Sequence, residues 1–312
     1  MNKAGKLHQP FLFILNFELT EGYFIENPLE QKEILFKVNH WSNKPLQSNT
    51  SQNNVLTAFP IDPKEYKTKF DIVQQGLQRG NSFVVNLTIK TPVRTPLTLE
   101  DIFYRSNTDF QLYIPEKFVC FSPERFIKIE DSSIMTFPMK GTIDASIPHA
   151  KEKILSDFKE LSEHATVVDL LRNDLSINAH HVSVEKFRYI DRIKTNKKDI
   201  LQVSSEIRGI LPPDFHTKLG DIIFSMLPAG SVSGAPKQST TRIIREAEQE
   251  DRGYYSGVFG YYDGKNLDSA VMIRFIEKQS EELYFRSGGG ITTHSKCEEE
   301  YQEVINKIYL PA

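Results

Sequence analysis

The chain of 312 residues contains two cysteines, one tryptophan and no long apolar run. Cys120 and Cys297 lie far apart and lack metal-ligand spacing, which argues against a disulfide framework and fits a reducing cytosol. No apolar stretch approaches the roughly 20 residues needed to cross a bilayer. The start, MNKAGKLHQPFLFILNF, has little positive charge and no small-residue cleavage site, so it reads as a first strand. Net charge is only -3, so no general attraction to nucleic acid or an acidic membrane surface is expected. No Pro/Ser/Gly tract and no long single-sign charge run divides the sequence. The polar stretch Ser42–Asn54 reads as an exposed excursion, and Lys194–Lys198, with three lysines, as a solvated loop. The single tryptophan, Trp41, suggests no role.

What is present is an irregular mixture of strand and helix patterns. Short aromatic or β-branched runs predict strands at Phe11–Phe17, Ser82–Thr88, Phe118–Phe121, Phe126–Ile129, Tyr254–Tyr262, Ser269–Glu277 and Glu282–Phe285. The last three follow closely and read as an antiparallel meander. Helical spacing puts Tyr66, Phe70, Val73 and Leu77 on one face of Pro63–Arg79, with Asp62 as its cap. His149–Leu171 reads as one helix with a stripe of Ile154, Leu155, Phe158, Leu161, Ala165 and Val168. Further helices are expected at Pro236–Glu248 and from Ser295 to about Tyr309, the latter opened by a Ser295/Glu298 capping box. Without regular βαβ alternation, the pattern favours an α+β fold of largely antiparallel sheets.

Two acidic pairs, Glu160-x-x-Glu163 and Glu300-x-x-Glu303, sit inside these helices. The i, i+3 spacing puts both carboxylates of each pair on one face. They are either two solvated faces or halves of a hard-cation site, because magnesium takes one or two carboxylates and completes its shell with water and substrate oxygens. Lys307, one turn after Glu303, is placed to balance the local charge. Gly230-Ser-Val-Ser-Gly-Ala-Pro-Lys237 is a tight loop before a helix or an anion site at the helix start. Its ending is not that of a P-loop. Ser287-Gly-Gly-Gly-Ile291 is a sharp turn or a place of close backbone approach to a ligand.

Together, these segments resemble the chorismate-utilising enzymes. The matching elements run in family order from Ser122 to Lys307: Ser122-Pro-Glu-Arg125, Pro138-Met-Lys-Gly-Thr142, Glu160-Leu-Ser-Glu-His164, Val168-Asp-Leu-Leu-Arg-Asn-Asp174, the Gly230–Lys237 loop, Ile273-Arg274, Gly288-Gly-Gly-Ile291, and Ser295 followed by Glu300-Tyr-Gln-Glu303 and Lys307. The resemblance implies large, mostly antiparallel sheets with outer helices in a single chorismate-binding domain, residues 1–312, completed by about residues 1–60. It implies that Glu163 and Glu303 bind Mg2+ directly, with Glu160 and Glu300 on its waters and the metal on the ring carboxylate. Arg274 and the backbone near Gly289 and Gly290 would take the enolpyruvyl carboxylate. Lys307 would also bind substrate, Ser231 would lie beside the ring, and Glu124 would be the general acid.

Lysine at position 140 is similar to the aminating, pyruvate-retaining members of the family, where it attacks ring C2. The resemblance therefore implies formation of 4-amino-4-deoxychorismate from chorismate and ammonia, the ammonia coming from a glutamine amidotransferase subunit. Val84 stands where water-using members carry a lysine base, which argues against an isochorismate-forming reaction; an anthranilate-forming component is the alternative. Gln202 stands where the family has a histidine, and it can hydrogen-bond without carrying a proton at neutral pH.

Overall fold

The first strand, Phe11–Leu15, is buried at every position, and its alternating side chains feed two different cores. Phe11, Phe13 and Leu15 face helices, while Leu12 and Ile14 face a second sheet. This is a computed structural model describing residues 1–45, 55–193 and 199–310. Most of the Ser42–Asn54 excursion and all of Lys194–Lys198 lie outside the described residues.

Every strand pairing is antiparallel among the described residues. In the first sheet Ile200–Ile210 pairs with His180–Ile193, Met139–Asp144 and Ser133–Thr136. The order then continues through Arg125–Glu130, Leu267–Val271, Val258–Tyr262 and Phe11–Leu15 to Gly22–Glu26. The second sheet runs Gly234–Ala235, Val84–Arg94, Glu282–Ile291, Phe275–Gln279, Phe118–Ser122, Phe110–Ile114, Leu35–Val38 and Trp41–Ser42, with Thr57–Ala58 beside Val84–Arg94. Phe36, Phe110, Leu112, Phe118 and Phe275 fill the space between the sheets with Leu12, Ile14 and Phe259. Helices cover the outer faces. The α+β architecture with large antiparallel sheets and outer helices therefore holds.

The strand readings around the sheet crossings change. Ser269–Glu277 is not one strand: Leu267–Val271 belongs to the first sheet and Phe275–Gln279 to the second. The chain crosses at Met272–Arg274, where Arg274 takes a left-handed φ of 55°. The expected three-strand meander is thus two hairpins in different sheets. A second crossing lies at Pro123–Glu124, between Phe118–Ser122 and Arg125–Glu130. The crossings bond to each other: Phe121 N–H donates to Arg274 O at 3.0 Å and Val271 N–H to Glu124 O at 3.1 Å.

Helix Pro63–Gln78 forms as the spacing predicts, with the Asp62 carboxylate accepting from Lys64 N–H at 2.7 Å and Tyr66, Phe70, Val73 and Leu77 buried. The expected His149–Leu171 helix breaks at Asp157. Its backbone is extended and its carboxylate caps the next helix through Glu160 N–H at 3.0 Å. The break separates Ala150–Ser156 from Phe158–Ser176 and resets the phase. Phe158 is therefore 80% exposed and Ala165 also faces out, while His164, Val168, Leu171 and Leu175 turn inward. The last helix is shorter than expected, Cys297–Asn306, and Lys296 is its cap residue. The Ser295 capping box is not formed; the Ser295 hydroxyl accepts from Thr292 N–H at 3.1 Å instead.

A buried ion pair ties the layers together. Arg252 and Glu248, at 1% and 2% side-chain exposure, meet at 2.6 Å. The guanidinium also donates to Val232 O at 2.7 Å and Asn86 O at 2.6 Å, and lies over the Phe17 ring. Glu248 accepts from Thr88 N–H at 2.8 Å. Removing one partner of such a pair leaves an uncompensated buried charge and unpaired carbonyls. Arg252→Met is expected to lower the unfolding free energy by about 3–5 kcal/mol, read from urea unfolding monitored by circular dichroism.

Candidate active site

A cleft of about 950 Å³ opens beside the two crossings. Every residue given a catalytic, substrate or metal role from the sequence lines it: Lys140, Glu124, Ser231, Arg274, Gly289, Gly290, Lys307, Gln202, Glu160, Glu163, Glu300 and Glu303. They come from segments separated by up to 183 positions along the chain, from Glu124 to Lys307, and are brought together by the two sheets and their covering helices.

Glu124 sits at the first crossing. The Ser122 hydroxyl accepts from its N–H at 3.1 Å, and Ser231 Oγ donates to its carboxylate. Burial pushes the Glu124 carboxyl above the usual range, against the opposing pull of the Ser231 hydrogen bond, Arg274 and Lys307. The rise favours the protonated carboxyl, the form that can deliver a proton.

Ser231 is carried by the tight turn Gly230–Val232. Two contacts fix that turn. A Cβ at Gly230 would stand 3.1 Å from Asp174, whose carboxylate pairs with Lys237 Nζ at 2.9 Å. A Cβ at Gly234, where φ is 131°, would stand 1.9 Å from the Val84 carbonyl oxygen. Gly230–Gly234 line the cleft, but Pro236 and Lys237 do not. The helix start therefore stands outside the cleft, and Lys237 is committed to Asp174 and to Met226 O at 2.5 Å.

The acidic pairs arrive on separate helices, Glu160 and Glu163 on Phe158–Ser176, Glu300 and Glu303 on Cys297–Asn306. Both pairs face the cleft, which rules in favour of facing carboxylates over two solvated faces. Lys140 Nζ lies 3.0 Å from Glu163. Lys307 Nζ donates to Glu303 and to Gly288 O, both at 2.7 Å. The glycine run passes between them: a Cβ at Gly289 would be 3.4 Å from Glu300 and 3.5 Å from Glu303, and one at Gly290 3.7 Å from Lys140 Nζ. Side chains at these positions would crowd the space between the charges.

The charges perturb one another. Burial pulls the Lys140 ammonium down, but Glu163, Glu303 and Glu160 together outweigh it and hold the group above the ordinary lysine value. Burial raises the Glu300 carboxyl, with Glu303 and Glu163 adding to the rise. Burial lowers the Lys307 ammonium although Glu303 opposes it. Among the described residues no three His, Cys, Asp or Glu side chains form a ready-made ligand cluster. Carboxylate oxygens from both helices face the cleft, the ligand type that hard divalent cations take, and such a cation needs only one or two of them.

The remaining wall is set by Val84, Val167, Met139, Gln202 and Tyr255. Gln202 pairs with Thr142 across the first sheet, just beyond Lys140. Tyr255 was not singled out from the sequence. The Tyr254–Tyr262 pattern reads as a strand, but pairing begins only at Val258, so Tyr254–Gly257 form a turn that delivers a buried Tyr255 to the cleft. Burial pushes its hydroxyl up to about 12. The signal was two tyrosines immediately before Ser-Gly, which strand propensity masked.

A family model described as chorismate binding enzyme matches residues 19–311, and the chain belongs to that family. An uncharacterized PabA-like protein of Haemophilus influenzae is 49% identical over 316 residues, covering 99% of this chain and 94% of that protein. Aminodeoxychorismate synthase component 1 of Salmonella typhimurium is 31% identical over 260 residues, covering 78% of this chain and 56% of that protein. Among solved structures, anthranilate synthase component I from Streptococcus pneumoniae superposes with a TM-score of 0.69 at 25% identity, covering 85% of this chain and 62% of that one. No helix among the described residues is long and apolar enough to cross a membrane.

The Gly234 contact gives a direct check on how the Ser231 turn is built. Gly234→Ala must move the segment that follows Ser231 away from Val84 or strain the backbone. It is expected to cost about 1–3 kcal/mol of stability by thermal unfolding and to weaken chorismate turnover.

Proposed function

We propose that this chain aminates chorismate to 4-amino-4-deoxychorismate, using ammonia delivered by a glutamine amidotransferase subunit. The observation that carries the reading is Lys140, half-buried in the cleft between the two carboxylate-bearing helices and beside Gly290. An anthranilate-forming or water-adding site has no evident need for an amine at that place.

In this reading the Lys140 amine attacks ring C2 and the ring double bond shifts as the C4 hydroxyl departs. Glu124 supplies the proton that lets the hydroxyl leave as water, and its Ser231 partner keeps the carboxyl aimed. Ammonia then bonds to C4, the double bond returns, and the lysine amine is released. The sum is chorismate plus ammonia giving the amino product plus water. Arg274 and the Gly289–Gly290 backbone bind the enolpyruvyl carboxylate, which stays on the ring. Gln202 and Lys307 border the substrate, and Val84 offers no base to activate water.

Glu160, Glu163, Glu300 and Glu303, with Glu298 and Glu299 near them, outnumber the ammoniums of Lys140 and Lys307, an unfavourable wall for a dicarboxylate substrate. Mg2+ held by Glu163 and Glu303, with Glu160 and Glu300 on its waters, would supply positive charge for the ring carboxylate and loosen the carboxylate hold on Lys140. Lys140 must be neutral to attack, and the surrounding carboxylates oppose that state.

Incubation with chorismate, MgCl2 and an ammonium salt is expected to yield 4-amino-4-deoxychorismate without pyruvate, identified by liquid chromatography and mass spectrometry. Anthranilate with pyruvate would replace this reading with the anthranilate-forming one, and isochorismate formed without ammonium with the hydrating one. Glu124 acts while protonated, so the turnover limb it controls falls as pH rises through its raised pKa. Glu124→Gln is expected to remove that alkaline limb and lower kcat by about 10²–10⁴-fold in a pH–rate series.

A further inference from the structure

Arg274 is held from two directions. Its backbone at the sheet crossing adopts the left-handed φ of 55°, which a side chain other than glycine rarely takes, and its carbonyl accepts from Phe121 N–H at 3.0 Å. Its side chain makes one hydrogen bond among the described residues: Nε–H donates to the Tyr309 hydroxyl at 2.8 Å. The guanidinium carbon lies 5.4 Å from the centre of the Tyr309 ring. Tyr309 follows the last helix, which ends at Asn306 rather than continuing to Tyr309 as its spacing suggested. That early end frees the tail to turn toward the crossing. The Tyr309 ring meets Phe121 edge-on at 6.4 Å, and its neighbours Ile308 and Leu310 pack on the core beneath Phe121 and Phe285.

We propose that Tyr309 is a positioning residue that sets which edge of Arg274 meets the substrate. A guanidinium can grip a carboxylate side-on, through Nε and one terminal nitrogen, or end-on, through both terminal nitrogens. The Tyr309 hydroxyl occupies Nε–H, so the side-on edge is taken and the end-on edge is presented. The ring beside the guanidinium restrains its rotation, and a preoriented fork loses less freedom when the carboxylate arrives. This rests on the reading that Arg274 binds a substrate carboxylate.

The test follows chorismate consumption at saturating ammonium, whatever the product, in wild type, Tyr309→Phe, Arg274→Lys and the double variant. Tyr309→Phe keeps the ring against Phe121 and removes only the hydroxyl. It is expected to raise KM for chorismate by about tenfold while kcat and Tm stay near wild type. Arg274→Lys, which has no Nε–H, is expected to raise KM by itself, and adding Tyr309→Phe to it should raise KM no further. A wild-type KM in Tyr309→Phe, or the same fold-increase in both backgrounds, would overturn the positioning role while leaving Arg274 as a substrate contact. An unchanged KM in Arg274→Lys would instead remove the carboxylate-binding reading, and the positioning role with it.

Discussion

The two crossings at Pro123–Glu124 and Met272–Arg274 are the constraint on which the cleft depends. Each is a place where the chain leaves one sheet for the other, and the pair is locked by reciprocal backbone hydrogen bonds between Phe121 and Arg274 and between Val271 and Glu124. Buried backbone groups must find partners, so neither crossing can shift without orphaning the other's donors and acceptors. Cys120 and Met272, just before and within the crossings, are fully buried in the core between the sheets. The acid Glu124 and the cation Arg274 are therefore placed by the same feature that joins the two sheets.

The other charges are placed relative to this frame by a second constraint, the anchoring of their helices, which works against the mutual repulsion of the four glutamates. Helices Phe158–Ser176 and Cys297–Asn306 are anchored by His164, Val168, Leu171 and Leu175 on one side and Val304 on the other, and those anchors force the acidic faces toward the cleft. Lys140 and Lys307 offset part of the repulsion through their contacts with Glu163 and Glu303. The Arg252–Glu248 pair works behind the cleft, fixing the Val232 and Asn86 carbonyls that flank the Ser231 turn. The site is thus held by backbone bonds in front and a buried ion pair behind.

Much of this cleft was legible in the sequence because its chemistry-bearing residues cluster in short segments with unusual composition. Glu160/Glu163, Glu300/Glu303 and the Gly288–Gly290 run stand out one by one, and their meeting required only that two helix faces turn inward. The crossings were not legible. Ser269–Glu277 is apolar and β-branched enough to read as one strand, and nothing in its alternation marks a change of sheet at Met272. The break at Asp157 was hidden because an aspartate inside an apolar helical pattern is usually a surface residue, whereas here it caps a new helix and turns Phe158 outward. Tyr255 and Tyr309 were missed for a related reason: each fell inside a stretch assigned to a regular element that ends or begins a few residues away.

A covalent link between Lys140 and the substrate ring is the most specific expectation of the proposed reaction. The full chain, mixed with chorismate and MgCl2 but no ammonium and quenched in acid, can be digested and its peptides weighed by mass spectrometry. The peptide containing Lys140 is expected to gain the mass of chorismate less one water. An unmodified Lys140 peptide, in a preparation that turns over chorismate when ammonium is added, would contradict amination through this lysine.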